Sequence, residues 1–589
     1  MKFGNEWIIA NKNGYYSYST TSLANTRSYH GLFVSLDEDF SRTVYLSKIW
    51  EEIIIGEKTY YLDTNLFGDI IHPDGYSRLR EHSLFPAPTF TFQTEGTTIR
   101  KEIFWHPTKN SMFIRYSISD EIPDSVRLVP LISIRNAGTM NRTIPYQCKM
   151  GEQLTVEREG KSINIWTEGT FRSKEEWYRN FTYDEEKIRG YANSEDLYSP
   201  GYFEFGLPVE INLQVSNEKE RIDPGTAKEL YLKQLMPKLR KDVFPEQFQH
   251  ISDIFSIGDS IIAGFPWFGS WSRDAFISLP GLLLVKKKYA VAKSVLERFK
   301  EKFPDGKFTS SIGEKFTPSD SPLWYIYSVK KYMDYTNDLP FLESVLEFCK
   351  LIVENYIEGY NGIRLEDSLV HSPPGSTWMD GNCNGHFETP REGKTVEVNA
   401  LWYNSLLSLR EFYVTTRKEF PDKLSGLIQT TRVEFHKKFV HNDSVKDIAD
   451  PDDYSIRPNM LLAFSLPYPV LENFRNYKKS VTDLVTPYGL RTLSPSDKKF
   501  VGIYWGGQCS RDRAYHNGTI WPWLIGPYVS ASVRSGSSKD RLRAYFGPLL
   551  KLNYVPEIFD GFQPSEPRGC IVQAWSYAEI LRSFSEDLS

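Results

Sequence analysis

The stretch Gly264-Phe265-Pro266-Trp267-Phe268-Gly269-Ser270-Trp271-Ser272-Arg273-Asp274 sets two indoles beside an adjacent guanidinium and carboxylate. Gly264, Pro266 and Gly269 argue for a loop rather than a helix interior. Flat aromatic faces next to a charged hydrogen-bonding fork suit a sugar ring. Its C–H faces lie against indole, and its hydroxyls pair with guanidinium and carboxylate. On these residues alone, a packed surface turn with an ordinary ion pair stays open. Cleaving a glycosidic bond needs two carboxyl groups flanking it, one protonated and one ionised. The chain offers 75 acidic residues, so residue type selects none of them. Position beside aromatics points to Asp380, which ends Ser376-Thr377-Trp378-Met379-Asp380 and precedes Gly381. Trp378 can help desolvate it, as a proton donor requires. Glu557 follows Pro556 on the last loop before a helical stretch. By itself Asp380 reads more readily as a turn cap, and Glu557 as an ordinary charged loop residue.

Further motifs recur in order down the chain. They are Asn25-Thr26-Arg27-Ser28-Tyr29-His30-Gly31-Leu32, Thr389-Pro390-Arg391-Glu392-Gly393-Lys394, Val396-Glu397-Val398-Asn399-Ala400-Leu401-Trp402-Tyr403-Asn404 and Ile456-Arg457-Pro458-Asn459. Then come Tyr515-His516-Asn517-Gly518-Thr519-Ile520-Trp521-Pro522-Trp523, Pro556-Glu557-Ile558-Phe559-Asp560-Gly561, Pro567-Arg568-Gly569-Cys570 and Gln573-Ala574-Trp575-Ser576. With the 264–274 and 376–380 segments, this series resembles the glucosidase part of glycogen-debranching enzymes. That is the amylo-α-1,6-glucosidase family, here in its shorter archaeal and bacterial form. The likeness spans nearly the whole chain, and it rests on the joint order of the motifs rather than on any one of them.

The resemblance implies roles. The residue matching Asp380 is the family's proposed general acid, and that matching Glu557 the base that orients water. Arg273 and Asp274 match a pair that clamps the outer hydroxyls of a terminal glucose. Glu397 and Asn399 are expected to bind hydroxyls, with Glu397 the reserve choice for the base. Trp267, Trp271, Asp320, Trp324, Trp378, His516 and Trp521 are expected to line the same pocket. A structural role for His516 is equally open, and Asp560 competes with Glu557 or only holds its loop. Asn25, Arg27 and His30 are expected to stabilise the sandwich, with a reach into the cleft left open as the alternative. The implied reaction is inverting hydrolysis of α-1,6-linked glucose in glycogen-like glucans or branched maltooligosaccharides. A broader exo-α-glucosidase, acting on α-1,4 as well as α-1,6 bonds, stays open, as do a disaccharide phosphorylase and a non-catalytic glucan-binding protein. The long eukaryotic debranching enzymes join two activities, and no transferase segment is legible here.

The elements that must position these residues are legible from periodicity. The 589 residues exceed one ordinary core, so two large domains are expected. The first 220 or so residues read as β-rich: Ile114, Tyr116 and Ile118 alternate with polar neighbours. Similar runs occur around 44–62, 90–105, 125–135 and 153–167, which suggests an antiparallel sandwich. Beyond 245 the period becomes helical, as in Leu342, Val345, Leu346, Cys349, Val353 and Tyr356. The resemblance implies an N-terminal antiparallel β-sandwich followed by a C-terminal (α/α)6 barrel, an α+β two-domain chain. The expected boundaries are 1–225 for the sandwich, 226–245 for a charged linker with Pro237 and Pro245, and 246–589 for the barrel. The loops between helices are expected to carry the motifs.

Composition narrows the partners. The net charge of −5 gives no reason to expect nucleic acid. No apolar run approaches the ~18 residues of a membrane span, and the N-terminal residues lack a secretory apolar region. A cytoplasmic location is therefore expected. The five cysteines are scattered without metal-ligand spacing, so free thiols are expected, with Cys383 and Cys570 as small packing residues. No HExxH, P-loop, Rossmann glycine pattern or GxSxG elbow is present, and no metal or organic cofactor is expected. Oligomeric state and linkage preference are not written in the sequence.

Overall fold

The computed structural model describes residues 3–236, 239–310 and 316–589. The chain divides into two compact units, Met1–Lys241 with Glu246–Ile257, and Asp242–Pro245 with Gly258–Ser589.

The first unit is built from two eight-stranded sheets whose pairings are antiparallel. The strands Glu6–Ala10, Tyr16–Thr20, Gly31–Leu36, Arg42–Ile55 and Ser125–Asn136 run in order across one of them. In the other, Ser111–Asp120 lies between Thr97–Trp105 and Glu210–Ser216. The alternation at Ile114, Tyr116 and Ile118 buries all three, as period two on a pleated strand requires. Aromatic side chains from both sheets meet in the core, with Phe33 5.1 Å from Trp105 and Trp7 5.8 Å from Phe90. Asn25 bonds Ser47, Arg27 donates to Glu6 at 2.5 Å and His30 accepts from the Thr26 amide at 3.0 Å. These bonds brace one corner of the unit.

The expected linker differs from the structure at its start. Pro224–Gln234 is a helix opened by Asp223, whose carboxylate accepts from the Thr226 amide. Ala227, Tyr231 and Leu235 pack with Phe104 and Phe113. Of the charged residues in that helix, Glu229 and Lys233 are exposed, while Lys228 lies over Phe104 and pairs with Glu102 at 2.7 Å. Pro237 lies outside the described residues.

The second unit is helical and toroidal. Among its described residues, six helices pack in a closed ring: Ser272–Leu279, Ser321–Thr336, Val396–Thr415, Leu462–Ser465, Ile525–Arg534 and Ala574–Glu586, which returns to the first. These helices are buried along most of their length. Tyr289–Lys302, Leu339–Glu358 and Asp422–Phe439 pack outside them and bury one stripe each. Gly281 shows how tightly the ring closes: a Cβ there would lie 1.8 Å from the Ala578 carbonyl oxygen. Among the described residues no helix is long and apolar enough to cross a membrane.

Two expectations are corrected. The motifs do not all lie in loops: Arg273 and Asp274 occupy the first turn of Ser272–Leu279, and Glu397 and Asn399 begin Val396–Thr415. The local glycines and proline end at Gly269, so the helix starts just beyond them. Nor are all the thiols free. Cys383 and Cys509 form a disulfide, with Cα atoms 4.8 Å apart across 126 residues of sequence. Cys148, Cys349 and Cys570 are free. No spacing rule could reveal a pair joined by the fold.

Candidate active site

One rim of the torus collects the motif residues. Arg273, Asp274, Asp320, Glu397, Asn459 and Trp523 sit at or just before the N-terminal ends of ring helices. Free amides and the positive end of each helix dipole favour carboxylates there. Short strands complete the rim. Ile520–Trp521 pairs with Ile558–Phe559, which places Glu557 beside the segment that carries His516 and Trp521.

Glu557 is buried and held from two sides. The Tyr515 hydroxyl donates to one carboxylate oxygen, and the Cys570 amide donates to the other at 2.9 Å. Gly569, at φ +70°, lies against the same side chain: a Cβ there would come 2.2 Å from Glu557 Oε2. Only glycine meets both the backbone angle and the space. Cys570 packs with its Sγ donating to the Val572 carbonyl, and burial pushes its thiol well up.

Asp380 faces Glu557's neighbours from the other side. Its side chain keeps 27% exposure. Arg273 Nη1 donates to Asp380 Oδ2 at 3.2 Å, and His516 Nε2 lies 3.8 Å from Oδ1. Tyr515 and His516 are consecutive, so one dipeptide reaches both candidate carboxylates. Burial pushes the His516 imidazole down from its ordinary value, and it stacks on Trp521 at 5.3 Å.

Arg273 takes Asp320 rather than its sequence neighbour as its main partner. Its Nε donates to both Asp320 oxygens, at 3.0 and 2.8 Å. Its Nη2 is buried without a hydrogen-bond partner among the described residues. Asp274 occupies the same helical turn and is buried. Burial first, then the nearby charges of Asp380 and Glu557, push its carboxyl up to about 7 despite Arg273. Burial likewise raises Asp320. Asp274, Asp320 and Asp380 therefore share the field of one guanidinium, and Glu557 is felt by Asp274.

The aromatic residues divide into two sets. Trp267 and Trp271 are half-buried on either side of Phe268, the more open surface of the pair of sets. Trp378, Trp521 and Trp523 are buried in one cluster with Trp575 and His516. Trp378 is anchored by its indole N–H to Asn459 at 2.8 Å. Trp324 is buried against Tyr327.

Glu397 and Asn399, expected to bind hydroxyls, both have partners within the protein. Both Glu397 oxygens accept from Arg391, which also grips Asp447 at 2.7 and 3.0 Å. The Asn399 amide is spent on the Val370 amide and the carbonyls of Val370 and Thr395. Asp447 in turn accepts from Asn459, the anchor of Trp378. Arg391, Glu397 and Asp447 thus form a buried ion cluster behind the aromatic wall, with both Glu397 oxygens and both Asn399 amide protons bonded within the protein. Asp560 accepts from the Tyr504 amide at 2.8 Å and Arg568 at 2.9 Å, so it holds its loop. Tyr515, Arg391 and Asp447 were not selected from the sequence. Tyr515 and Arg391 stand inside quoted motifs, but a side chain's direction is not encoded in spacing, and Asp447 lies in no motif. Among the described residues no cluster of His, Cys, Asp and Glu could hold a metal ion.

A curated glycogen debranching enzyme of Saccharomyces cerevisiae is 22% identical over 388 residues. The match covers 46% of this chain and 25% of that protein, so the chain spans about a quarter of the length of the curated relative it matches. A bacterial glucoamylase solved in complex with acarbose superposes with a TM-score of 0.64, covering 100% of this chain and 92% of that one. At 12% identity that likeness carries the fold: a β-rich region followed by a helical torus. Residues 5–212 match the model for the N-terminal part of glycogen debranching enzymes. Residues 243–582 match the amylo-alpha-1,6-glucosidase model, more than half of the chain and every acid of the rim; the protein belongs to this family of glycoside hydrolases.

Proposed function

We propose that the protein is an inverting α-1,6-glucosidase that removes glucose stubs from branched α-glucans. Asp380 donates a proton to the bridging oxygen, and Glu557 activates water on the opposite face of the ring. One observation carries the reading: of the consecutive residues Tyr515 and His516, one bonds Glu557 and the other lies 3.8 Å from Asp380, so a single dipeptide links two carboxyls of different environment. Glu557 receives two donors, which suits an ionised base. Asp380 keeps an open face toward a bridging oxygen. The buried, unpartnered Nη2 of Arg273 and the carboxyl of Asp274 supply bonds for the hydroxyls of a terminal ring. The half-buried Trp267 and Trp271 offer it a face. The debranching name of the yeast relative supports the α-1,6 linkage.

The test is the anomer formed first. Early-time proton NMR on an isomaltose-type, a panose-type and a maltose-type substrate is expected to give β-glucose, fastest from the α-1,6 bond. Initial α-glucose would overturn the inverting mechanism and the role of Glu557. Equal rates on maltose would move the assignment to a broader exo-α-glucosidase.

A further inference from the structure

The Cys383–Cys509 disulfide joins the two pieces of chain that hold the carboxyls, and the proposed chemistry makes no use of it. Cys383 lies three residues after Asp380, in the hairpin that pairs Asn382–Cys383 with His386–Phe387. Cys509 is the second residue of helix Gln508–Tyr515. The far end of that helix delivers Tyr515 to Glu557 and His516 toward Asp380. Gly381 lies against this end: a Cβ there would come 3.2 Å from the Asp512 carbonyl oxygen and 3.4 Å from His516. Three further ties between hairpin and helix are long or exposed. Gln508 donates to the Asn382 carbonyl at 3.4 Å, Asn384 to Cys509 Sγ at 3.5 Å, and Arg513 lies 3.8 Å from Glu388. Bonds of that length in contact with water hold little. The covalent bond therefore sets the spacing of hairpin and helix, and both cysteines are reachable from solvent, being only half-buried.

We infer that Cys383 and Cys509 are positioning residues whose disulfide fixes Asp380 relative to Tyr515 and His516, and that opening it lowers turnover rather than binding. The inference rests on the roles given above to Asp380 and Glu557. The ring-binding groups Arg273, Asp274 and Asp320 belong to other elements, and the pair of Arg273 with Asp320 does not involve the hairpin or the helix. Opening requires a dithiol reductant, a small molecule or a protein of thioredoxin-like chemistry. One thiolate of the reductant attacks a cysteine sulfur and displaces the other as thiolate; the second thiol closes on the mixed disulfide. Two electrons and two protons pass to Cys383 and Cys509, and the reductant leaves as its disulfide.

The full chain, purified without reductant, is mapped by peptide mass spectrometry and assayed before and after dithiothreitol. The cross-linked peptide is expected, with kcat falling about 10- to 100-fold on reduction and KM changing less than about twofold. The Cys383→Ser/Cys509→Ser variant is expected to match reduced wild type and ignore dithiothreitol, while Cys148→Ser behaves as wild type. A missing cross-link, or unchanged kcat in protein shown to be reduced, overturns the inference. Hydrogen exchange separates this from failure of the functional reading. Should no glucoside be cleaved in either state, faster exchange on reduction confined to 380–388 and 508–517 still supports the positioning role. Unchanged exchange there overturns it.

Discussion

Two of the ion clusters among the described residues of the torus each set one arginine between two carboxylates, and they are built for opposite ends. Arg391 sits between Glu397 and Asp447, all buried, with Thr377 as a further acceptor. Every nitrogen of that guanidinium is bonded. Arg273 sits between Asp320 and Asp380. There one nitrogen is buried without a partner and one carboxylate keeps an open face. A saturated buried ion cluster is a brace, because each charge needs the others to stay out of water. An unsaturated one holds free energy in reserve for a ligand that completes it. Residue type does not separate the two constellations; the count of satisfied bonds does.

Conservative amide substitutions are expected to separate them by kinetics. Asp380→Asn keeps the shape but loses the transferable proton, so kcat falls by about 10²- to 10⁴-fold with little change in substrate affinity. Glu397→Gln keeps most of kcat per folded molecule, because its carboxylate faces Arg391 rather than the pocket. Single-turnover rates on active-site-titrated protein measure both. Near-wild-type turnover by Asp380→Asn would erase the distinction.

Stability should show the reverse order. Glu397→Ala leaves Arg391 buried with one of its two carboxylate partners gone, and breaking such a pair costs about 3–5 kcal/mol. Asp380→Ala removes a partly exposed partner while Asp320 still holds Arg273, so its cost is expected to be well below that. Urea midpoints of the two variants are the measurement, and equal losses would mean that the open constellation is also a brace.

Gly569→Ala probes the setting of Glu557 without touching a charge. The left-handed backbone costs an alanine about 1–2 kcal/mol, and its Cβ must displace the Glu557 carboxylate. Activity is expected to fall more steeply than stability. A variant with lowered melting temperature but full kcat would show that the position of Glu557 is not critical.

Much of this was legible beforehand because periodicity records which face of an element is buried. The alternation at 114–118 and the helical stripe at 342–356 both reappear as buried faces. The rim acids were found through motif order. What escaped was three-dimensional pairing. Glu397 and Asp380 sit in equally suggestive motifs, yet one faces Arg391 and the other an open space. Cys383 and Cys509 are 126 residues apart, and only the folded hairpin and helix bring them together. Arg273 and Asp274 read as a fork, but adjacent residues on a helix point about 100° apart, so Arg273 found Asp320 instead.

That separation within one helical turn makes Asp274 the finest test of the comparison. Asp320 and Asp380 lean directly on Arg273, whereas Asp274 is raised to about 7 from 3.8 by burial and by the charges of Asp380 and Glu557. A raised native pKa means that the folded state binds the proton more tightly than the unfolded one. The stabilisation is complete below about pH 4, declines between about pH 4 and 7 as only the unfolded state releases the proton, and is gone above the native value. Its slope cannot exceed about 1.4 kcal/mol per pH unit, the limit for one proton. Asp274→Asn removes that proton, so wild type should lose stability relative to the variant as pH rises from 5 to 8. Asp320→Asn removes the partner of Arg273 and should be destabilising throughout that range. Urea midpoints at pH 5, 6, 7 and 8 decide it. Parallel curves for wild type and Asp274→Asn would mean that Asp274 is ionised across the whole range, and that a second cation or donor compensates it as Arg391 compensates Glu397.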